Sequence, residues 1–310
     1  MELHVFIEPQ QGASYSAVQR LAQAVEQLGF AGFFTSDHYL RMGDGDPAPG
    51  PLDAWTTLAG LARDTDRVRL GTLVSPITFR TPGQLAIIVA QIDEMSGGRV
   101  ELGLGAGWFE QEHQAHAIPF PALGERFGRL TEQLEILRGH WAARPQQPFS
   151  YDGRHYCVTG SPGLPRPVQQ PHPPIIIGGW GTTVTPRLAA RFAAEFNVPF
   201  PQPDDWGAAC DRVRRACEEQ GRDPGELRYS AAQVVCCGRD EAEFERRAAA
   251  IGREPDELRQ NGACGLVDEV IQRLGRFAGQ GAARAYLQVL DIDDLDHLEL
   301  IATEVLPAVA

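Results

Sequence analysis

Val100-Glu-Leu-Gly-Leu-Gly-Ala-Gly-Trp-Phe109 is the stretch of sequence that decides the fold. An apolar, buried-type strand runs directly into glycines, which let a ligand approach the backbone closely. Similar strands that end in small, Gly-rich or polar turns occur at 3–8, 32–39, 68–75 and 175–181, with helical patterns between them. This alternation predicts an α/β fold, a (β/α)₈ TIM barrel whose chemistry lies at the carboxyl ends of the strands.

Eight strands are predicted in one domain that spans residues 1–310. They lie at 3–8, 31–36, 68–75, 100–107, 174–178, 195–200, 227–237 and 284–290. The insertion 111–174 after the fourth strand is too long for a simple βα loop. We expect it to hold a helix at about 125–141 and a short hairpin beside the barrel mouth, where it could cover substrate. The Gly-, Asp- and Pro-rich loop 43–51 is predicted to be a mobile lid.

Charge and composition limit the classes of partner. The net charge of -13 and the pI near 5.1 argue against a nucleic-acid or anionic-membrane partner, because the summed field repels phosphate groups. The N-terminus lacks the basic and apolar regions of a signal peptide, and no apolar run is long enough for a membrane span. We therefore expect a cytoplasmic protein that acts on a small-molecule substrate. Apolar helices near the C-terminus hint at a homodimer.

Cysteine and histidine spacing gives no sign of a disulfide framework or a metal site. The cysteines at 157, 210, 217, 236, 237 and 264 form no CxxC pair, and we expect Cys236 and Cys237 to be reduced strand residues on opposite faces. His113 and His116, near Glu110 and Glu112, lack the HExxH arrangement and a third ligand. No metal is expected.

Asp37 and His38 directly follow the second strand, which places both at the catalytic face. A histidine there can donate to a ring carbonyl or position a hydride acceptor. Short polar residues are also common after strands, so a capped turn is the other interpretation.

Two glycine-rich turns are candidates for contact with a ligand. Main-chain amides of Gly105, Ala106 and Gly107 could approach a planar or phosphorylated ligand, although strict GxGxxG is absent. The loop of Gly178, Gly179, Trp180, Gly181 and Thr182 precedes a helix N-terminus and forms a predicted anion site. Packing in the first case and a tight strand-to-helix turn in the second remain the alternatives.

Several phrases together resemble the luciferase-like monooxygenase superfamily, the flavin- and deazaflavin-dependent (β/α)₈ oxidoreductases. They are Thr35-Ser-Asp-His38, Leu70-Gly-Thr-Leu-Val-Ser-Pro76, Thr78-Phe-Arg-Thr-Pro82, Ser96-Gly-Gly-Arg-Val-Glu-Leu-Gly-Leu-Gly-Ala-Gly-Trp108, Gly124-Glu-Arg-Phe127, Arg166-Pro-Val-Gln-Gln-Pro-His-Pro-Pro-Ile-Ile-Ile-Gly-Gly179 and Tyr286-Leu-Gln-Val-Leu-Asp-Ile-Asp-Asp-Leu-Asp296. The Ser-Asp-His and Gly-Ala-Gly-Trp phrases are most similar to the branch that uses coenzyme F420, a deazaflavin, rather than FMN.

The resemblance implies a role for each candidate residue. Asp37 and His38 would lie beside the deazaflavin ring, with His38 as the catalytic residue. Leu73, Val74 and Ser75 would form a bulge with a non-prolyl cis peptide, at Leu73-Val74 or Val74-Ser75, under one face of the ring. The turn at 105–107 would contact the cofactor tail, and the loop 178–182 would bind its phosphate.

Three functions remain open from the sequence. The first is an F420-dependent oxidoreductase that transfers a hydride, as a reductase of C=C or C=N. The second is an FMN-dependent monooxygenase, and the third is a non-catalytic barrel that binds flavin. Sugar-phosphate dehydrogenases of the superfamily place Glu where this chain has Trp108, so the resemblance does not extend to a sugar-phosphate substrate. An aromatic residue there favours an apolar or planar substrate.

Overall fold

Eight parallel strands close into a barrel in the computed structural model, which describes residues 1–144 and 146–309. The barrel strands are β1 (Glu2–Ile7), β2 (Gly32–Thr35), β3 (Arg69–Thr72), β5 (Val100–Gly105), β8 (Ile175–Gly178), β9 (Glu195–Pro199), β10 (Arg228–Gly238) and β12 (Arg284–Gln288). Pairing of β12 with β1 and of β9 with β10 closes the sheet. The predicted (β/α)₈ barrel and its eight strands are confirmed.

Helices cover the outside of the barrel. They are α1 (Tyr15–Gln27), α2 (Ala54–Asp64), α3 (Pro82–Met95), α4 (Glu110–Ala115), α5 (Leu123–Ala142), α6 (Val184–Phe192), α7 (Pro203–Glu219), α8 (Glu241–Ala250), α9 (Pro255–Asn261), α10 (Val267–Gly279), α11 (Leu295–Leu300) and α12 (Leu306–Val309), the last two joined by a π-helical segment (Ile301–Val305). No helix in the described ranges is both long and apolar enough to cross a bilayer.

Two short strands depart from the prediction. The third predicted strand is broken, so that β4 (Ser75–Pro76) pairs with β5 after an interruption at Leu73 and Val74. An unpredicted strand, β11 (Ala263–Leu266), pairs with the far end of β10, where Cys236 lies opposite Cys264. Its small, Gly- and Cys-containing sequence carries little strand propensity, so the pairing with β10 decides its conformation.

The insertion contains the predicted hairpin, and no residue of the hairpin is among those that line the cavity described below. Its strands β6 (Phe149–Asp152) and β7 (Cys157–Ser161) are antiparallel and pack on α5. The buried carboxylate of Glu132 on α5 accepts hydrogen bonds from the backbone amides of Arg154, His155 and Tyr156 in the connecting turn. The face of α5 towards the barrel, not the hairpin, contributes to the cavity described below.

The six cysteines are free thiols. Cys236 packs with Phe244 and Leu258 beneath α8 and α9, whereas Cys237 belongs to the main core. The two adjacent cysteines therefore belong to different hydrophobic clusters, in agreement with the expectation that they lie on opposite faces of the strand. Burial raises the pKa of the Cys237 thiol to about 12, which keeps it protonated and unreactive.

A cluster of buried charges fills the barrel at the amino ends of the strands. Arg284 Nη1 on β12 donates to Glu101 Oε2 on β5 at 2.7 Å and to Glu195 Oε2 on β9 at 2.8 Å. Arg69 donates to the other oxygen of Glu101 at 2.7 Å, and the Tyr286 hydroxyl donates to Glu195 at 2.8 Å. Because β5 and β12 lie on opposite sides of the barrel, the cluster ties its walls together through the interior.

Replacement of Arg284 by Met should destabilise the barrel by about 3–5 kcal/mol, because Glu101 and Glu195 would keep buried charges without their shared cation. Urea unfolding followed by circular dichroism measures the loss. Arg253→Met is the control, since Arg253 and Glu257 form an exposed pair on α9 and its flanking turn that is worth under about 1 kcal/mol. Equal losses in the two variants would show that the interior cluster does not stabilise the fold.

Candidate active site

A cavity of about 440 Å³ opens at the carboxyl ends of the barrel strands. Its apolar wall includes Phe6, Leu73, Val74, Phe127, Leu130 and Ile177, and its polar groups include Glu8, Ser36, His38, Glu112, Thr185 and Asn197. A largely apolar cleft with a few polar side chains suits a planar organic ligand. Its position matches the face where barrel enzymes carry out chemistry.

One wall of the cavity is formed by the interruption between β3 and β4. The peptide between Leu73 and Val74 is cis, the first of the two positions that the resemblance implied. Both residues line the cavity. Gly103 on β5 is required for this close approach, since a Cβ there would lie 2.0 Å from the carbonyl oxygen of Thr72.

Asp37 and Ser75 brace this wall from behind and do not line the cavity. The Ser75 hydroxyl accepts from Trp55 Nε1 at 3.0 Å and donates to Asp37 Oδ2 at 2.6 Å. Arg80 pairs with the same carboxylate and, on its other side, with Asp53. Neither side chain lines the cavity, because their polar atoms are used in this buried network. Contact of Asp37 and Ser75 with the cofactor stays a prediction.

His38 points in the opposite direction from Asp37, into the cavity. Its Nδ1 lies 3.0 Å from both carboxylate oxygens of Glu112 on α4, and Glu112 also accepts from the amide of Tyr39 at 3.0 Å. The Glu112 side chain is 1% exposed and the His38 side chain 13%. A carboxylate only accepts, so Nδ1 carries a proton and Nε2 is left for a ligand.

The neighbouring histidine on α4 has a structural role. His113 Nδ1 donates to the carbonyl oxygen of Phe109 at 2.7 Å, and its Nε2 lies 2.6 Å from the Thr78 hydroxyl. Both ring nitrogens are therefore used within the fold. Among residues 1–144 and 146–309, no group of three or more His, Cys, Asp or Glu side chains is arranged to hold a metal ion.

Glu8 is a second ionisable group at the same end of the cavity. It follows β1 directly and lines the cavity together with His38. Burial raises the pKa of Glu8 above its ordinary value of 4.5, while the charge of His38 acts in the opposite direction. A carboxyl group with a raised pKa next to a histidine is a candidate for proton transfer.

The two glycine-rich turns lie where the sequence placed them. Gly105, Ala106, Gly107, Gly178, Gly179, Trp180 and Gly181 all line the cavity. Gly179 has φ +133°, a backbone conformation that favours glycine, and a Cβ on Gly181 would lie 2.2 Å from the Thr185 hydroxyl. Thr182 faces away and lines a separate, smaller cavity instead.

Aromatic side chains surround the mouth. Trp108 is 65% exposed, and its ring lies edge-on to His38 with centroids 5.8 Å apart. Trp180, which follows the neighbouring strand β8, is 43% exposed and donates from Nε1 to the carbonyl oxygen of Pro199 at 3.0 Å. Phe200, with φ +49°, completes the rim. Exposed aromatic rings at an opening mark a surface for an apolar or planar ligand.

Sequence reasoning missed Glu8, Glu112, Asn197 and Arg80. The available signal for Glu8 was its position at the end of the first strand, where barrel enzymes place functional groups. Glu112 was considered only as a metal ligand, and its contact with His38 joins residues 74 positions apart. Such pairings depend on the tertiary structure and leave no local pattern.

Comparisons with known proteins identify relatives of this architecture. The sequence profile of the family described as luciferase-like monooxygenase matches residues 1–300. An F420-dependent glucose-6-phosphate dehydrogenase of Microbacterium testaceum is 39% identical over 170 residues, 54% of this chain and 48% of that protein. An FMNH(2)-dependent dimethylsulfone monooxygenase of Pseudomonas putida is 30% identical over 161 residues, 52% of this chain and 42% of that protein.

The same barrel occurs in a solved F420-dependent secondary alcohol dehydrogenase in complex with an F420-acetone adduct. Its TM-score is 0.86, at 18% identity, over 100% of this chain and 99% of that chain. At this identity the likeness shows the fold alone. The chain spans about half the length of the two sequence relatives named above.

Replacement of Glu8 by Gln should make the protein more stable than the wild type above pH 4.5. The difference in free energy of unfolding should grow as the pH rises. The raised pKa of Glu8 means that the folded protein holds this proton more tightly than the unfolded chain, so the wild type loses this contribution as the pH passes the folded pKa. Gln at position 8 cannot ionise and avoids the loss. Urea unfolding between pH 4.5 and 8 measures the difference.

The exposed carboxyl of Glu94 on α3 supplies the control for this experiment. Glu94→Gln removes the same charge from the surface, outside the cavity. If the stability of Glu8→Gln relative to the wild type stays constant across the pH range, burial does not raise the pKa of Glu8.

Proposed function

This chain belongs to the luciferase-like monooxygenase family, and we propose that it is a coenzyme F420-dependent oxidoreductase that reduces a C=C or C=N bond in a small, planar, uncharged substrate. The observation that carries the proposal is the pairing of His38 with Glu112 in the lining of an apolar cavity whose wall also includes Leu73 and Val74, at the interruption of the third strand.

The residues of the cavity fit a tricyclic ring with an anionic side chain. Leu73 and Val74 offer a flat apolar surface for one face of the ring. The turn at 105–107 and the loop at 178–181 leave room for a chain to pass close to the backbone. The N-terminus of α6 follows that loop and favours a phosphate.

When bound in its reduced form, the deazaflavin supplies a hydride. The protein's own contribution is to hold the substrate against the open face and to deliver a proton to the second atom of the double bond. As the imidazolium, with protons on both ring nitrogens, His38 would donate this proton from Nε2, while Nδ1 stays hydrogen-bonded to Glu112, which fixes the ring. Glu8, whose pKa is raised by burial, is positioned to return a proton to the site.

The class of substrate can be inferred from the residues at the rim and from the charged side chains that line the cavity. Within the described residues, no arginine lines the cavity, and the chain contains no lysine. A phosphate monoester therefore has no cation to bind beside His38, in contrast to what the name of the Microbacterium relative implies for that protein. Trp108, Trp180 and Phe200 favour a planar apolar molecule.

An FMN-dependent monooxygenase is the second candidate, supported by the Pseudomonas putida relative and by the same apolar cavity. It would use reduced FMN and molecular oxygen. A flavin-binding barrel without catalysis is the third candidate, but it gives no reason for the buried pairing of His38 with Glu112. The expected homodimer and the cytoplasmic location stay predictions.

Titration of the purified protein with F420 and with FMN, each oxidised and reduced, tests the proposal. We expect F420 to bind more tightly than FMN by at least about tenfold, a difference of ~1.4 kcal/mol in binding free energy. Cofactor fluorescence and absorbance report binding. Preference for reduced FMN, together with oxygen uptake, would replace the proposal with the monooxygenase.

Replacement of His38 by Ala should slow reduction by about a hundredfold, because general acid catalysis by a positioned side chain contributes at least that much. Cofactor affinity should change little, since the ring lies against Leu73 and Val74. Reoxidation of reduced F420 by a panel of unsaturated compounds measures the rate in a single turnover.

His116→Ala is the matched control for this variant. His116 ends α4, and its Nδ1 donates to the carbonyl oxygen of Glu112 at 2.9 Å, but it does not line the cavity. An unchanged rate in His38→Ala, with His116→Ala also unchanged, would remove the catalytic role of His38.

A further inference from the structure

A second cavity, of about 190 Å³, lies on the outer surface between α6 and α7. Its polar lining residues are Thr182, Thr183, Arg187, Arg212, Arg215 and Glu219. We propose that this basic cavity binds the anionic tail of the cofactor whose ring occupies the main cavity. The inference rests on the proposed function and goes beyond it, because it assigns a separate subsite to a different part of the ligand.

The three arginines of this cavity are not neutralised within the fold. No carboxylate among residues 1–144 and 146–309 lies within ion-pair distance of any of them. Neighbouring arginines differ in this respect, since Arg214 pairs with Asp211 at 2.7 Å and Arg222 with Glu226 at 3.5 Å. In a chain with a net charge of -13, three uncompensated cations around one hollow indicate a site for anions.

Arg212 also has a hydrogen-bond donor that no group in the described part of the fold satisfies. Its Nε is buried and has no hydrogen-bond partner in the described structure. A buried donor without a partner is costly, and an anion in the adjoining cavity would supply the missing acceptor. Glu219, the one acidic side chain of the lining, leaves a positive balance against the three guanidinium groups.

The loop that leads into α6 connects this cavity to the main one. Gly181 and Thr185 line the main cavity, whereas Thr182, Thr183 and Arg187 line the second. A ligand that passes over Gly181 therefore moves from an apolar cleft to a cationic surface within a few residues. The amide groups at the start of α6 lie at this crossing and also favour negative charge.

Coenzyme F420 has the chemistry that such a pair of cavities would recognise. Its deazaflavin ring and ribityl chain end in a phosphodiester that continues into γ-linked glutamates, which carry several carboxylates. FMN ends at a phosphate monoester and carries no carboxylates beyond it. Guanidinium groups bind carboxylates in a bidentate manner, so Arg187, Arg212 and Arg215 suit an oligoglutamate.

The test compares F420 with FO 5′-phosphate, which has the same ring and ribityl phosphate but no glutamate tail. We expect the wild type to bind F420 more tightly than FO 5′-phosphate, by an amount that shrinks as salt increases. In Arg187→Gln/Arg215→Gln, the affinity for F420 should fall about tenfold and the affinity for FO 5′-phosphate should change less than about twofold. Fluorescence titration gives both dissociation constants.

Arg154→Gln/Arg246→Gln is the matched control, because it removes two exposed positive charges that lie outside both cavities. It should leave the affinity for both deazaflavins unchanged. If the wild type binds F420 no more tightly than FO 5′-phosphate, or if Arg187→Gln/Arg215→Gln weakens both ligands equally, the tail subsite is rejected while the deazaflavin assignment stands. Preference for FMN over both deazaflavins would reject the proposed function itself.

Discussion

The ion cluster around Arg284 is the constraint on which the rest of the structure depends. One guanidinium joins β12 to β5 and β9 through the barrel interior, and Arg69 extends the contact to β3. These residues lie at the amino ends of their strands, so the cluster closes the end of the barrel that faces away from the cavity. With that end fixed, the opposite ends of the strands are free to carry glycines, a bulge and unpaired polar side chains.

A second buried network stabilises the functional end. Trp55, Ser75, Asp37 and Arg80 form a chain of hydrogen bonds behind the interrupted third strand, which leaves Leu73 and Val74 on the cavity side. Asp37 and His38 are adjacent in sequence, and strand alternation sends them to opposite sides of this wall. Asp37 supports the wall from behind, whereas His38 lines the cavity. Such support from behind is what holds a reacting group in place.

The local sequence pattern was sufficient to predict the barrel and those parts of the candidate site that consist of backbone. The strands were predicted because each ends in glycine or a polar turn, and the glycines at 105, 107, 178, 179 and 181 were placed at the cavity for the same reason. The partner of His38 could not be found this way, since Glu112 comes from a short helix that forms only where the barrel supports it. Asp37, Ser75 and Thr182 do not line the main cavity, since the local pattern gives the end of a strand but not the direction of a side chain.

The two halves of the cavity are built differently, and this difference separates cofactor choice from substrate choice. The half proposed for the cofactor consists of backbone: an interrupted strand, two glycine turns and a helix N-terminus. The rim consists of the side chains of Trp108, Trp180 and Phe200 on loops beyond the strands. A substitution in the first half changes the path of the main chain, whereas one at the rim changes only the shape of the opening. On the proposed function, substrate preference can therefore change through a few aromatic residues while the proposed cofactor site stays intact.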